Sequence, residues 1–297
     1  MSSDAPARGA FSTWLSGARP RTLTLCAVPV VLGTAAALHA GRADLGLAVL
    51  ALATALFLQV GVNYSNDYSD GVRGTDQFRV GPPRLTGSGA AHPRRVLAVA
   101  LTFFVLAAVS GLALIVVTQE WWLVAVGAAA ILAAWSYTGG TRPYGYAGLG
   151  EVAVFVFFGL VATIGSEYVQ TRTFSLLGLA CAAAAGFFAC AVLMVNNIRD
   201  IVPDERAGKR TLAVIVGLRR ARVFYGALLV APYVLAALLV VEHPAALLVV
   251  VSLPLTIRAF ALGTRSAKAL ELITALKSTS FGALLFALAL GAGLVLT

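Results

Sequence analysis

Six of the thirteen carboxylates in this chain fall in two short windows, Asp67, Asp70 and Asp76 in one and Asp200, Asp204 and Glu205 in the other. Acidic groups gathered in this way attract cations. In the first window Asn63, Asn66, Asp67 and Asp70 stand at i, i+3, i+4 and i+7, which continues one helical face past the apolar end of its segment. In the second, Asn196 or Asn197, Asp200 and Asp204 repeat that spacing at the end of another apolar run. Neighbours so placed are about 5–6 Å apart. Both windows offer oxygen ligands without Cys or His, which suits Mg²⁺ or Ca²⁺ better than zinc. Magnesium is commonly held by one or two carboxylates together with substrate phosphates, so two facing windows form a clamp for a diphosphate. Arg73, Arg79, Arg84, Arg206, Lys209 and Arg210 follow within a few residues, and arginine grips phosphate oxygens with two parallel bonds.

The elements that must carry these residues are membrane helices. The 297 residues are 59% hydrophobic and only 12% charged, about half the charged fraction of a soluble domain. Apolar runs at 22–40, 45–63, 96–117, 121–137, 147–165, 174–197, 223–241, 243–262 and 278–296 predict an all-α integral membrane protein. Its nine transmembrane helices would form a single bundle over 22–297, preceded by an arm, 1–21, whose segment from Phe11 to Arg21 lies along the interface. Of the 22 Lys and Arg residues, all but Arg42 and Arg172 fall on one side of these runs. By the positive-inside rule that side is cytoplasmic, with the N-terminus inside, the C-terminus outside and both acidic windows facing the cytoplasm of a multi-pass cell-membrane protein. Most of the +9 net charge is then a topology signal, and no nucleic-acid partner is implied. The partners are membrane lipid and the substrates.

Several other chemistries are disfavoured. Cys26, Cys181 and Cys190 lie within apolar runs without CxxC spacing and read as small core side chains. His39, His92 and His243 stand singly in predicted loops, which argues against a zinc site or a histidine dyad. Met1 to Gly9 lacks the basic region of a cleaved signal, so the first span is expected to be retained. Tyr64, Tyr137, Tyr144 and Tyr146 fit an interfacial aromatic belt, while Glu151 fits either an interfacial position or a role in pairing an Arg or orienting an acceptor. An ion-coupled transporter is the competing class, but the charges sit at helix ends rather than at the midplane.

With these residues in view, the sequence resembles the UbiA superfamily of intramembrane prenyltransferases. The matching stretches are Asn66-Asp67-x-x-Asp70 with Arg73 and Asp76, Arg79-Val-Gly-Pro-Pro, Asn196-Asn197-x-Arg199-Asp200 with Asp204, and Gly208-Lys209-Arg210-Thr211. Trp14, Arg19-Pro20 and Thr22 resemble the N-terminal approach of the family, and Tyr137 to Glu151 resembles its fourth-to-fifth loop. Asp76 follows Asp70 by six residues rather than four, which resembles the branch acting on 1,4-dihydroxy-2-naphthoate. The Lys that many members carry in the Tyr137 loop is absent, and Arg142 is the nearest base.

The resemblance implies Mg²⁺-dependent transfer of a polyprenyl chain from polyprenyl diphosphate to that naphthoate, with decarboxylation, giving demethylmenaquinone. It implies two Mg²⁺ ions bridging the diphosphate, held by Asp67, Asp70, Asp76, Asp200 and Asp204 as metal-binding and catalytic residues. The diphosphate would meet Asn63, Asn66, Arg73, Arg79, Asn197, Lys209 and Arg210. Tyr137, Arg142, Tyr144 and Glu151 are the candidates on the acceptor side. Other acceptors, such as 4-hydroxybenzoate, are the alternatives within the family. The CDP-alcohol phosphotransferase motif is a poorer fit, because Gly74 and Thr75 stand where it has Ala-Arg.

Overall fold

A computed structural model of the chain describes residues 10–78 and 84–296. A short helix α1 (Ala10–Gly17) leads into α2 (Pro20–His39) through Arg19, whose backbone is left-handed at φ 55°. Pro20 at the first position of α2 needs no donor, and the turn at Arg19 folds α1 back toward the cavity described below. Helix α3 (Leu45–Arg73) opens at Asp44, whose side chain accepts the N–H of Leu47, and ends at Gly74 with φ 77°. That left-handed ending is one that glycine adopts without penalty.

The remaining helices follow in order as α4 (Pro93–Thr118), α5 (Leu123–Ser136), α6 (Gly150–Val154), α7 (Ala162–Thr171), α8 (Leu176–Arg199), α9 (Ile201–Arg206), α10 (Leu212–Val216), α11 (Leu218–Leu239), α12 (Leu253–Arg265) and α13 (Ala269–Val295). A π-helical stretch, Phe155–Val161, joins α6 to α7 without a break, and a 3₁₀ stretch, Pro244–Ser252, runs into α12. Among the described residues there is no strand.

Where the sequence predicts nine crossings, eight helices among the described residues are long and apolar enough to cross a membrane. The fourth expected span is the 14-residue α5, about 21 Å long at 1.5 Å per residue and short of a bilayer core. The chain leaves the helix at Tyr137, and the 137–149 loop folds back, with the N–H of Gly145 on the carbonyl of Tyr137. Helices α3 and α13 run furthest past their apolar runs: α3 continues to Arg73 and α13 begins at Ala269, both carried on by polar and charged residues.

The main core gathers α2, α8, α11 and α13 around Phe188, Tyr225 and Phe286. Phe188 and Phe286 meet edge to face with ring centroids 5.1 Å apart. A smaller core joins Ala18, Val60, Tyr64, Leu85, Val96 and Ala100, so the segment after the first acidic window is packed, not merely tethered. Helix α8 crosses the π stretch at two glycines: a Cβ on Gly159 would lie 2.6 Å from the Cα of Gly186. This close crossing sets the π stretch against α8, and Phe157 and Phe158 line the cavity beside it.

At the end of the bundle opposite the acidic windows, His39 and His243 correct the expectation of solitary histidines. Their rings meet edge to face at 4.8 Å, and Nδ1 of His39 lies 3.1 Å from the carbonyl of Leu294.

Candidate active site

The two acidic windows meet in space. Asp70, Asp76, Asp200 and Asp204 border one small cleft with Thr75 and Lys209. Its volume is about 10 Å³, room for about one water-sized species. The cleft adjoins a larger cavity of about 510 Å³. Asp70 and Lys209 border both.

The first window reaches this place along α3, where the i, i+3, i+4, i+7 spacing is realised. Asn63 donates to the carbonyl of Ala18 at 2.8 Å, tying α3 to the turn before α2, and Asn66 accepts the hydroxyl of Thr138 at 2.7 Å. Asp67, 1% exposed, accepts the backbone N–H of Leu85 at 2.9 Å on one oxygen and that of Thr86 at 2.8 Å on the other. Asp70 accepts the hydroxyl of Tyr146 at 2.7 Å. Asp76 lies on a 3₁₀ turn, Thr75–Phe78, just past the glycine that ends α3.

The second window does not keep the continuous helical spacing that its sequence suggests. Helix α8 stops at Arg199, Asp200 has φ −99° and ψ 9°, and a new short helix, α9, carries Asp204. Asp200 is bonded by its neighbour Arg199, with Nε at 2.8 Å, and Arg199 also reaches Asn196 at 2.8 Å. Asp204 pairs with Lys209 at 3.7 Å.

The basic residues divide. Lys209 borders both cavities, and its ammonium lies 5.3 Å from the centroid of the Tyr146 ring. Arg73 turns away from the cavities and donates to the carbonyls of Thr138 and Gly140, which pins the 137–149 loop to α3. Arg210 and Arg142 are exposed and line neither space, although the backbone N–H of Arg210 bonds the carbonyl of Tyr146. Arg79 lies outside the described residues.

Two residues that the sequence does not single out both contact Asp70: Arg84, one of several bases near the acidic windows, and Tyr146. Arg84, with a side chain only 9% exposed, lies 3.6 Å from Asp70 and 3.8 Å from Asp76. Burial opposes its charge, but Asp76, Asp70, Asp67 and Asp200 outweigh burial and hold the guanidinium more firmly protonated than usual. Tyr146 holds Asp70. An interfacial belt does not predict the placement of Tyr146, and in sequence Arg84 is one of six bases near the acidic windows with nothing to set it apart.

On the acceptor side, Tyr137 and Tyr144 line the large cavity with rings in edge contact at 5.5 Å. Tyr144 donates to the carbonyl of Ala133 at 2.8 Å, and burial pushes its phenol up to about 12. Burial, together with the nearby carboxylates of Glu151 and Asp70, pushes the Tyr137 phenol higher still. Glu151 is 8% exposed, accepts Asn197 Nδ2 at 3.0 Å, and therefore orders a residue that faces the cavity rather than facing it itself. The apolar remainder of the wall includes Leu58, Val62, Phe157, Phe158, Val192 and Ile273.

Oxygen-only donors around an ion-sized cleft are suited to magnesium. Among the described residues no three Asp, Glu, His or Cys side chains converge closely enough to hold an ion alone. An ion there needs further oxygen ligands from phosphate or water, which is how magnesium is usually bound.

Fold and site together define a membrane-embedded helical bundle with an acidic cleft opening into an apolar cavity, the arrangement for handling an anionic head on a greasy tail. The model of the UbiA prenyltransferase family matches residues 26–288, and the chain belongs to that family. It is 49% identical to the 1,4-dihydroxy-2-naphthoate octaprenyltransferase of Mycobacterium tuberculosis over 96% of this chain and 97% of that protein. It is 40% identical to the Escherichia coli protein of the same name over 76% of this chain and 75% of that one. Among solved structures, a UbiA homolog from Archaeoglobus fulgidus bound to DMAPP and Mg²⁺ shares the fold with a TM-score of 0.67 at 18% identity, covering 96% of this chain and 99% of that one.

Proposed function

We propose that this prenyltransferase moves a polyprenyl group from polyprenyl diphosphate to 1,4-dihydroxy-2-naphthoate. The observation that carries the acceptor is the 49% identity, over nearly both full lengths, to a protein of that named activity. The meeting of both acidic windows beside an apolar cavity supports the reaction type.

In this reading the diphosphate lies at the acidic cleft and the isoprenoid tail lies along the apolar wall. Asp70, Asp76, Asp200 and Asp204 would hold magnesium, and Asp67 joins them through the lone pairs its two amide bonds leave free. When bound, magnesium offsets the diphosphate charge as the allylic C–O bond breaks. One ion suits the cleft itself, and the second would need the adjoining larger cavity, which Asp67 and Asp70 also line. Lys209 adds a cation at the leaving oxygens. Asn63, Asn66 and Asn197 present amides to the same space, while Arg73 and Arg210 act by holding the loops behind it. Arg79 belongs to the same proposed set by sequence.

The naphthoate lies against Tyr137 and Tyr144, with Glu151 acting through Asn197, while Arg142 belongs to the acceptor side by sequence alone. The ring carbon bearing the carboxylate attacks the allylic carbon, a C–C bond forms, and carbon dioxide leaves with the ring regaining aromaticity. The product is the quinol of demethylmenaquinone. Water held out of the cavity by the apolar wall protects the allylic cation. The lopsided distribution of Lys and Arg supports a cytoplasmic N-terminus, an outer C-terminus and a cleft facing the cytoplasm of the cell membrane, with 22–297 as the catalytic bundle behind a short arm.

The test is prenyl transfer by the purified protein in nanodiscs, with polyprenyl diphosphate, Mg²⁺ or EDTA, and either dihydroxynaphthoate or 4-hydroxybenzoate. Magnesium-dependent product with the naphthoate alone, lost in Asp70→Ala and Asp200→Ala, is expected. Product with 4-hydroxybenzoate alone would overturn the acceptor.

A further inference from the structure

Arg84 is an unusual neighbour for a metal site. Its side chain is only 9% exposed and stands between Asp70 and Asp76, yet neither ion pair is a close hydrogen bond, at 3.6 and 3.8 Å. Its Nε and Nη1 are buried without any hydrogen-bond partner. A buried guanidinium with donors unspent is expensive unless something else fills them. Its position is nevertheless firmly built. Asp67 fixes the next two residues through their amides, and Leu85 is buried in the smaller core at 2% exposure. A Cβ on Gly71 would meet Thr86 at 2.5 Å, so this segment lies directly on α3. The side chain also borders the large cavity, together with Lys209 and Arg199.

We propose that Arg84 is a resident counter-ion of the acidic cleft, displaced from Asp70 and Asp76 by the incoming divalent ion and then spent on the diphosphate. This rests on the proposed reading of the cleft as a magnesium–diphosphate site. Without metal, the guanidinium compensates two buried carboxylates. When the ion takes those carboxylates, Arg84, which borders the large cavity, has donors left for the phosphate oxygens that arrive there, and the fork of an arginine suits them. Metal alone must compete with Arg84, whereas metal with diphosphate recruits it. The arrangement couples the two ligands, favouring an ion that arrives with its diphosphate.

The two roles predict opposite signs for one substitution, which a merely structural arginine does not. The full chain in nanodiscs is titrated with Mn²⁺ alone, read by its electron paramagnetic resonance signal, and separately with inorganic pyrophosphate at saturating Mn²⁺. In Arg84→Gln, Mn²⁺ alone should bind about tenfold tighter because its competitor is gone, and pyrophosphate about tenfold weaker because a charge-assisted donor is gone. In Arg84→Lys, which keeps the charge but loses the fork, Mn²⁺ affinity should stay within about twofold and pyrophosphate should still weaken. Weakening of both ligands in Arg84→Gln, or no change in either, overturns the proposal while leaving the magnesium–diphosphate reading intact. Should the unaltered protein bind no pyrophosphate with Mn²⁺, that reading falls and the proposal with it. If Arg84→Gln does not fold, Arg84→Lys decides between the two roles: unchanged pyrophosphate affinity there also overturns the proposal.

Discussion

The hydroxyl of Tyr146 donates to the carboxylate of Asp70 at 2.7 Å, joining residues 76 positions apart in the chain. This bond ties the loop after α5 to the first acidic window. The same loop is held a second time by Arg73, through the carbonyls of Thr138 and Gly140. The wall of the large cavity that carries Tyr137 and Tyr144 is therefore fixed to the helix carrying the carboxylates.

Tyr146→Phe removes that bond while keeping the ring beside Lys209. A hydrogen bond to a charged group contributes about 1.5–3 kcal/mol, so metal-dependent binding of pyrophosphate should weaken by about tenfold or more. Titration of the variant against the unaltered protein checks this, and equal affinity would remove Tyr146 from the site.

Asp67→Asn tests the latch on residues 84–86. The amide retains one acceptor oxygen for the N–H of Leu85 or Thr86 but opposes the other with its own NH₂. One lost charge-assisted bond and one donor facing a donor should cost about 2–4 kcal/mol, lowering the melting temperature in detergent. Faster proteolysis within residues 84–87 would locate the loss.

Burial raises the Tyr144 phenol from its ordinary value of 10.0 to about 12. A raised value means that the folded state keeps its proton after the unfolded chain has lost it. The contribution to stability is therefore complete below pH 10 and is lost as pH rises toward about 12. Melting curves between these limits should fall more steeply for the unaltered protein than for Tyr144→Phe, while product formation between pH 7 and 9 should show no titration of this residue.

Gly159→Ala places a methyl 2.6 Å from the Cα of Gly186, backbone that cannot give way as a side chain can. Separating α8 from the π stretch should cost about 1–3 kcal/mol. It should also shift Phe157 and Phe158 at the cavity wall, so the variant is expected to lose both thermal stability and rate. A stable variant of normal activity would show that the close crossing is dispensable.

Much of this architecture is legible in the order of residues because a bilayer imposes a local rule. Each crossing must satisfy its own backbone, so apolar length alone marks the helices, and eight of the expected runs became helices of spanning length among the described residues. The acidic windows were legible for a similar reason, since carboxylates at a helix end stand out against so few charges. What the windows lacked in sequence was contrast among the cations. Arg73, Arg84, Lys209 and Arg210 are alike as residues near Asp, yet one pins a loop, one pairs with Asp70 and Asp76, one borders both cavities and one faces outward.

The residues by themselves determined the helical membrane class, the two oxygen-only windows and, through their resemblance, the family. Hydropathy and helical periodicity are short-range properties, readable within one turn or one span. Tertiary structure alone decided that Asp67 spends both oxygens on the 84–86 segment, that Tyr146 rather than another tyrosine holds Asp70, and that α8 breaks at Asp200 to turn Asp204 into the cleft. Those outcomes depend on which buried donors and acceptors remain to be satisfied once the helices have packed, and partners dozens of residues away settle that balance.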